Sequence, residues 1–427
     1  MKTSECAAAA KVASIRLGAV KTEVKNAALT EIAKALQDRA ADILAANERD
    51  LAAAQKADLA APLLKRLKFD EARLDDVCAA IHSLIKLPDP AGRTLCAIEL
   101  DDDLELYRVS CPIGVIGVVF ESRPDALVQI STLCLKSGNA CLLKGGSEAA
   151  HTNRILADTI ARAGESAGLP KGFLNLLETR QDVADMLALD DRIDLIIPRG
   201  SNEFVRHIMA STNIPVLGHA DGLCHVYVAS DADLDMAVRL TVDSKCQYVA
   251  VCNAAETLLV DSAVAPAFLP LVQKALAEHN CRLKGDDRTL AIIDCEPATD
   301  QDWSTEYLDY ILSIKVVDGL DAAIDHINRY GSGHTDAIVT ADREKAERFM
   351  NLVDSADVFW NASTRFADGY RYGLGAEVGI STSKIHARGP VGLDGLVIYK
   401  WKLLGKGQIV ADYSGPNARK FTHKKLR

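Results

Sequence analysis

Apolar residues recur at helical spacing through the first ninety positions. Leu29, Ile32, Leu36 and Ile43 mark one face, with Lys34, Asp38 and Arg39 on others. Alanine runs such as Ala40-Ala41 and Ala52-Ala53-Ala54 add helix propensity. A further helix is predicted over residues 70–86, ending before Pro88. From Pro112 the period changes. Residues 113–120 form a continuous apolar run of the kind buried on both faces of a parallel sheet, and Pro124 suits the first turn of a following helix. Residues 140–143, 173–177 and 193–197 are predicted strands with helices between them. A second series starts near Leu223, with strands over 225–228, 257–260, 314–317, 337–340 and 358–360. Within 341–353, Ala346, Phe349, Met350 and Val353 keep the i, i+3, i+4, i+7 spacing of a helix. Two strand–helix alternations argue for two doubly wound α/β domains with right-handed crossovers.

Two stretches belong to neither series. Residues 104–109 alternate as a half-exposed strand after Asp101-Asp102-Asp103. Residues 395–403 are strand-like, and Leu404-Gly405-Lys406-Gly407 turns into 408–413, which reads as a hairpin. An isolated hairpin is marginal in water, so pairing with 104–109 in a three-stranded flap is expected. Val397, Tyr399 and Trp401 would still need cover, most simply from a second copy in a homodimer or higher homo-oligomer. The layout is therefore 1–99 with 112–222, 223–394, and a flap from 100–111 with 395–427.

Length and composition narrow the function. A chain of 427 residues exceeds one ordinary core, and 48% hydrophobic with 25% charged residues is globular usage. A formal charge of -10 argues against nucleic acid as a partner. The basic end, residues 419–427, reads as a solvated tail. The 11 cysteines are scattered without a zinc-like spacing, so no metal site is predicted and a reducing compartment fits. Without a long apolar run at the start, no membrane span is expected, and the placement is cytoplasmic.

Chemistry concentrates at a few turns. Cys252 lies in an irregular segment between a helix ending near Lys245 and the strand at 257–260, followed by Asn253, a possible side-chain donor. A free cysteine alone is more often a small buried hydrophobe. No Gly-x-Gly-x-x-Gly links a strand to a helix. Lys144-Gly145-Gly146-Ser147 and Arg199-Gly200-Ser201 instead stand at strand ends, where a helix N-terminus can take a phosphate. The long segment 361–395 is too extended for a mere connector, and its Arg365, like Arg123, can clamp an oxyanion.

Cys252-Asn253-Ala254-Ala255-Glu256-Thr257-Leu258-Leu259-Val260 resembles the nucleophile segment of the gamma-glutamyl phosphate reductases, a branch of the aldehyde dehydrogenase superfamily. Phe120-Glu121-Ser122-Arg123-Pro124, Gly218-His219-Ala220-Asp221-Gly222 with Cys224-His225, and Asn361-Ala362-Ser363-Thr364-Arg365-Phe366 are similar to further family segments. So is Val317, then Ala323-Ile324-x-His326-Ile327, then Tyr330-Gly331-Ser332-x-His334-Thr335-Asp336-x-Ile338. The resemblance covers nearly the whole chain. It implies an aldehyde-dehydrogenase-like α/β fold: an NADP(H)-binding domain, a catalytic domain carrying nucleophilic Cys252, and an oligomerisation flap. It places Lys144, Gly145 and Ser147 at the adenosine ribose and Gly200 with Ser201 at the pyrophosphate. NAD-preferring relatives commonly carry an acid where Ser147 stands, which favours NADP(H); Glu148 is one position on.

The implied reaction is reduction of L-glutamyl 5-phosphate to L-glutamate 5-semialdehyde through a cysteine thioester, in proline biosynthesis. The backbone amide of Cys252, with Asn253 and Ser122 nearby, is the implied oxyanion site. Arg123, Ser363, Thr364 and Arg365 are the implied substrate contacts. The hydrolytic relatives' glutamate base has no counterpart in Gly218-His219-Ala220-Asp221-Gly222, where His219 is read as shaping the turn. His334 and Asp336 are read as ordering groups. A transient contact with glutamate kinase, source of the unstable acyl phosphate, is also implied. A non-phosphorylating semialdehyde dehydrogenase and an inactive NADPH-binding relative remain open alternatives.

Overall fold

The structure, a computed structural model, describes residues 2–121, 123–375 and 377–427, without the side chains of residues 61 and 62. Helices fill the first ninety residues as their periodicity predicts: Thr3–Leu17, Thr22–Asp38, Ala40–Lys56, Ala61–Leu67 and Glu71–Lys86. Leu29, Ile32, Leu36 and Ile43 are completely buried. Asp70 caps the last of these helices, accepting the Arg73 amide at 3.1 Å, a bond typically worth about 1 kcal/mol.

Thr94–Asp101 (β1) and Leu104–Pro112 (β2) then form an antiparallel hairpin. Asp103 takes φ 58 at its tip, a left-handed conformation that aspartate tolerates. Val115–Phe120 (β3), Ala140–Lys144 (β4), Leu174–Leu177 (β5) and Leu195–Arg199 (β6) make a parallel sheet in the order β5-β4-β3-β6. All six residues of β3 are buried, as expected of a strand covered on both faces.

The second series builds a larger parallel sheet. Its strands are Cys224–Val228 (β7), Ala255–Asp261 (β8), Arg282–Gly285 (β9), Glu296–Pro297 (β10), Ile311–Val317 (β11), Thr335–Val339 (β12) and Asp357–Trp360 (β13). They are ordered β10-β9-β11-β8-β7-β12-β13. β9 and β10 are additions to the strands predicted. Beyond them, Gly379–Ser381 (β14) and Gly389–Val391 (β15) pair as a small ladder.

The flap differs from expectation in three ways. Val397–Leu404 (β16) does add to β2, with Trp401 opposite Arg108. The hairpin partner of β2 is β1, however, because the acidic turn folds the chain back on the residues before it. Residues 408–413 are not a strand: Val410–Tyr413 is a 3-10 turn, and Gln408 donates to the Asp102 carbonyl at 3.1 Å, docking the segment on the hairpin tip. The basic end is not a free tail either. Lys424–Lys425 (β17) pairs with β1 beside Glu99, and Arg419 meets Asp101 at 2.6 Å. The sheet is thus β16-β2-β1-β17.

Contacts divide the chain into two units: residues 1–200, 204–216 and 391–427 in one, 201–203 and 217–390 in the other. The flap belongs to the first.

Candidate active site

Cys252 is held by the two elements that bracket it. Helix Leu234–Cys246, capped by Asp233, delivers the chain to the irregular segment, and β8 takes it away. Lys245 and Glu256, one on each side, form a fully buried ion pair at 2.6 Å. Burial raises the Glu256 carboxyl above its ordinary range, and the Lys245 charge opposes that rise. Breaking such a pair from one side typically costs about 3–5 kcal/mol, so the loop's two ends are firmly joined.

The segment after β13 closes the other side. Thr364 donates to the Asn253 carbonyl at 2.7 Å, and Asn253 Nδ2 donates to the Ala367 carbonyl at 2.8 Å. Ser244 Oγ reaches Ser363 Oγ at 3.2 Å and accepts from the Thr364 amide at the same distance. Arg365 Nε donates to Gln247 Oε1 at 2.9 Å. Asn253, Ser363 and Thr364 are buried and engaged in this clamp, where the sequence placed them at the oxyanion and the substrate.

Cys252 itself stays partly exposed, unlike Cys224 and Cys246. The Cys224 thiol donates to its carbonyl at 3.2 Å. Burial pulls the Arg365 guanidinium below its ordinary value, and negative charge on Cys252 opposes that pull. The guanidinium is thus near enough to Cys252 for charge on the sulfur to act on it.

Two histidines complete the surroundings. His219 Nδ1 lies 2.9 Å from the Ile380 carbonyl, which can only accept, so Nδ1 carries a proton. His334, at the start of β12, is completely buried, with Nδ1 2.8 Å from Thr335 Oγ1 and no hydrogen-bond partner at Nε2. Burial holds its pKa well below the usual imidazole value. The two rings meet edge-on at 4.9 Å. Ligand atoms of His219, Cys252 and His334 all lie within 4.8 Å of one another. Cys252, Cys224 and His334 thus gather at the N-terminal ends of β8, β7 and β12. Sequence reading missed this grouping, because nothing local connects three separated segments. Asp336 instead ties strands together, bonding the His225 amide and ring at 2.8 Å each.

The other predicted cluster lies in the first unit, at the C-terminal ends of β3 and β4. Phe120, Lys144, Gly146, Ser147, Glu148 and Arg180 line a cavity of about 540 Å³. Lys144 is buried, and burial, with Arg180 adding to it, pulls its ammonium below the ordinary value while Glu148 opposes. A β-carbon on Gly145 would stand 2.2 Å from Asn153 Nδ2 and 2.9 Å from the Phe120 ring, so a larger residue must move these side chains. Gly200 follows β6 and packs on Phe204, and Ser201 directly precedes helix Asn202–Ala210. A glycine turn and two cations beside one cavity fit a nucleotide. Arg180 is a lining residue that the sequence did not single out. Arg123 is exposed and pairs with Asp125 at 3.0 Å. Ser122 lies outside the described residues.

No described helix is long and apolar enough to cross a membrane. A model of the aldehyde dehydrogenase family matches residues 2–290. The gamma-glutamyl phosphate reductase of Pelotomaculum thermopropionicum is 64% identical over 426 residues, covering 100% of this chain and 98% of that one. That of Methanosarcina mazei is 53% identical over 428 residues, covering 98% and 96%. The crystal structure of gamma-glutamyl phosphate reductase from Thermotoga maritima aligns with a TM-score of 0.93 at 39% identity, covering 96% of this chain and all of that one. Membership of the aldehyde dehydrogenase family implies a nicotinamide cofactor. Full-length similarity at this level, on the fold just described, establishes that the chain belongs to the gamma-glutamyl phosphate reductases, oxidoreductases of the aldehyde dehydrogenase family.

Proposed function

We propose that the chain reduces L-glutamyl 5-phosphate to L-glutamate 5-semialdehyde and phosphate with NADPH, and that Cys252 is the nucleophile. The observation that carries this reading is Cys252 itself: a partly exposed thiol on a loop clamped at both ends, electrostatically coupled to buried Arg365. The thiolate attacks the acyl carbon, and the carbon–oxygen bond to phosphate breaks, leaving a thioester on Cys252. A nicotinamide cofactor, once bound, would supply the hydride that reduces the thioester on Cys252. Collapse of the resulting thiohemiacetal releases the aldehyde and returns the thiolate.

The oxyanion formed at each stage needs a fixed donor. The backbone amide of Cys252 is the donor proposed, with the side chain of buried Asn253 anchored on the Ala367 carbonyl. Arg365, whose guanidinium is electrostatically coupled to Cys252, would hold a substrate anion. The stretch Gly218-His219-Ala220-Asp221-Gly222 carries no glutamate like the hydrolytic relatives' base, which fits a thioester spared from water. Lys144, Ser147 and Arg180 would hold the adenosine ribose and its 2′-phosphate, with Gly200 and Ser201 at the pyrophosphate. Two cations beside a hydroxyl favour NADP(H), because a carboxylate at position 147 would repel the extra phosphate.

We further propose a homo-oligomer, at least a dimer, built through the flap. β16 is an edge strand whose Tyr399, Trp401, Leu403 and Leu404 are about half exposed. Arg108 stacks on Tyr399 and Trp401 at 5.1 and 5.9 Å and fixes their rings in place. A long apolar edge of this kind calls for a partner.

The test compares two cysteines. Cys252→Ser should abolish NADPH oxidation while cofactor binding persists; Cys246→Ser, a buried thiol on the preceding helix, should leave activity largely intact. An active Cys252→Ser enzyme would refute the assignment.

A further inference from the structure

His219, Cys252 and His334 come from three segments, before β7, before β8 and at the start of β12, yet their ligand atoms converge within 4.8 Å. One thiolate and two imidazole nitrogens are the donor set that borderline divalent ions prefer, zinc foremost. Two further details distinguish this grouping from chance crowding. Buried His334 has its Nδ1 against Thr335, so the nitrogen left without a partner is Nε2. An imidazole nitrogen desolvated and unpaired is a standing cost that a coordinated ion removes. His219 Nδ1 donates to the Ile380 carbonyl, which leaves Nε2 as the ring nitrogen able to ligate. A carbonyl behind the ring is the outer arrangement that metal-binding histidines use.

We propose that His219, Cys252 and His334 form a binding site for a thiophilic divalent cation, zinc in the first instance, with three protein ligands and a fourth position open. Binding breaks the Cys252 S–H bond, releases its proton to solvent and forms a metal–sulfur bond, with no change of oxidation state. Tetrahedral coordination requires donor separations of about 3.3–3.6 Å, from the usual zinc–sulfur and zinc–nitrogen lengths. His219 and Cys252 are both partly exposed and must close by about 1 Å, a rotamer-scale movement. Occupancy engages the sulfur and silences the enzyme reversibly; this consequence rests on Cys252 being the nucleophile, whereas binding does not.

Cobalt(II) provides the probe. The full chain, stripped with a chelator, is titrated with Co²⁺ and followed by absorption. One equivalent should produce a sulfur-to-cobalt charge-transfer band in the near ultraviolet with intense tetrahedral bands in the red, both displaced by Zn²⁺. NADPH oxidation should fall in parallel and return with chelator. Cys252→Ala, a small change at a partly exposed position, should abolish the charge-transfer band. His219→Ala and His334→Gln should each weaken binding about tenfold or more, with thermal unfolding showing which variants remain folded. A charge-transfer band that survives Cys252→Ala, no such band in the wild type, or unchanged affinity in folded His219→Ala would overturn the site. If Cys252→Ala loses the band but keeps turnover, the metal site stands and the nucleophile assignment fails.

Discussion

The backbone of Gly222 lies directly against that of Cys252. A β-carbon built on Gly222 would stand 2.0 Å from the Cys252 carbonyl oxygen and 2.4 Å from its Cα. Neither atom is the end of a flexible side chain, so any larger residue must displace the backbone of Cys252, the proposed nucleophile. Gly222→Ala is expected to lower kcat/KM about 100-fold, the usual consequence of an ångström-scale misplacement, while cofactor affinity, proposed to rest on Lys144 and Ser147, stays unchanged. Steady-state kinetics with cofactor titration checks this; a fully active Gly222→Ala enzyme would show that the loop tolerates the shift.

Acid should destabilise the protein through its buried histidines. His326 packs between His225, Trp303 and Tyr330, and burial pulls its pKa from 6.5 to about 3. Below about pH 6.5 the unfolded chain takes up this proton and the folded chain does not, so stability falls as pH drops, by about 1.4 kcal/mol per unit. His334 acts in the same direction. Urea unfolding between about pH 7 and about pH 5 should show the decline, and His326→Gln should reduce its slope by about one proton. An unchanged slope in that variant would count against the buried neutral imidazole.

Cofactor choice should follow the charges around Ser147. Arg180→Leu is expected to raise the KM for NADPH about tenfold or more, from the ~1.5–3 kcal/mol of a charge-assisted hydrogen bond, with little effect on NADH. Ser147→Glu should move preference toward NADH by repelling the 2′-phosphate. Equal efficiency of the wild type with both cofactors would contradict the role given to this turn.

The flap makes a prediction about assembly. Tyr399 and Trp401 share one face of β16, and charge there should be incompatible with a buried interface. Light scattering should find the wild type dimeric or larger and the Tyr399→Asp, Trp401→Asp double variant dissociated. A wild-type monomer at micromolar concentration would end the idea.

How far the sequence disclosed all this depends on how local each signal is. β3 is legible because every residue of Val115–Phe120 is apolar, and the N-terminal helices because Leu29, Ile32 and Leu36 recur on one face. β9 and β10 are not, since Arg-Leu-Lys-Gly and Glu-Pro are short, polar edge pieces. The second flap strand failed because docking on Asp102 and Asp103, a contact across some three hundred residues, overrides the hairpin pattern of 404–413. Lys144, Ser147 and Cys252 were singled out from turns and motif likeness, and the roles proposed for them rest on that reading. Arg180 and the approach of His334 to Cys252 were not, for they exist only once separate strands lie side by side. Ser363 and Thr364 carry motif likeness too, but folding commits their hydroxyls to the loop clamp.

The most direct test of the central claim runs the reaction backward. NADP⁺ reduction by L-glutamate 5-semialdehyde is measured with and without inorganic phosphate. A Cys252 thioester protected from water can be released only by phosphate, so NADPH formation should require it and vanish in Cys252→Ser. Sustained NADPH formation without phosphate would mean that water cleaves the thioester, and would contradict the account.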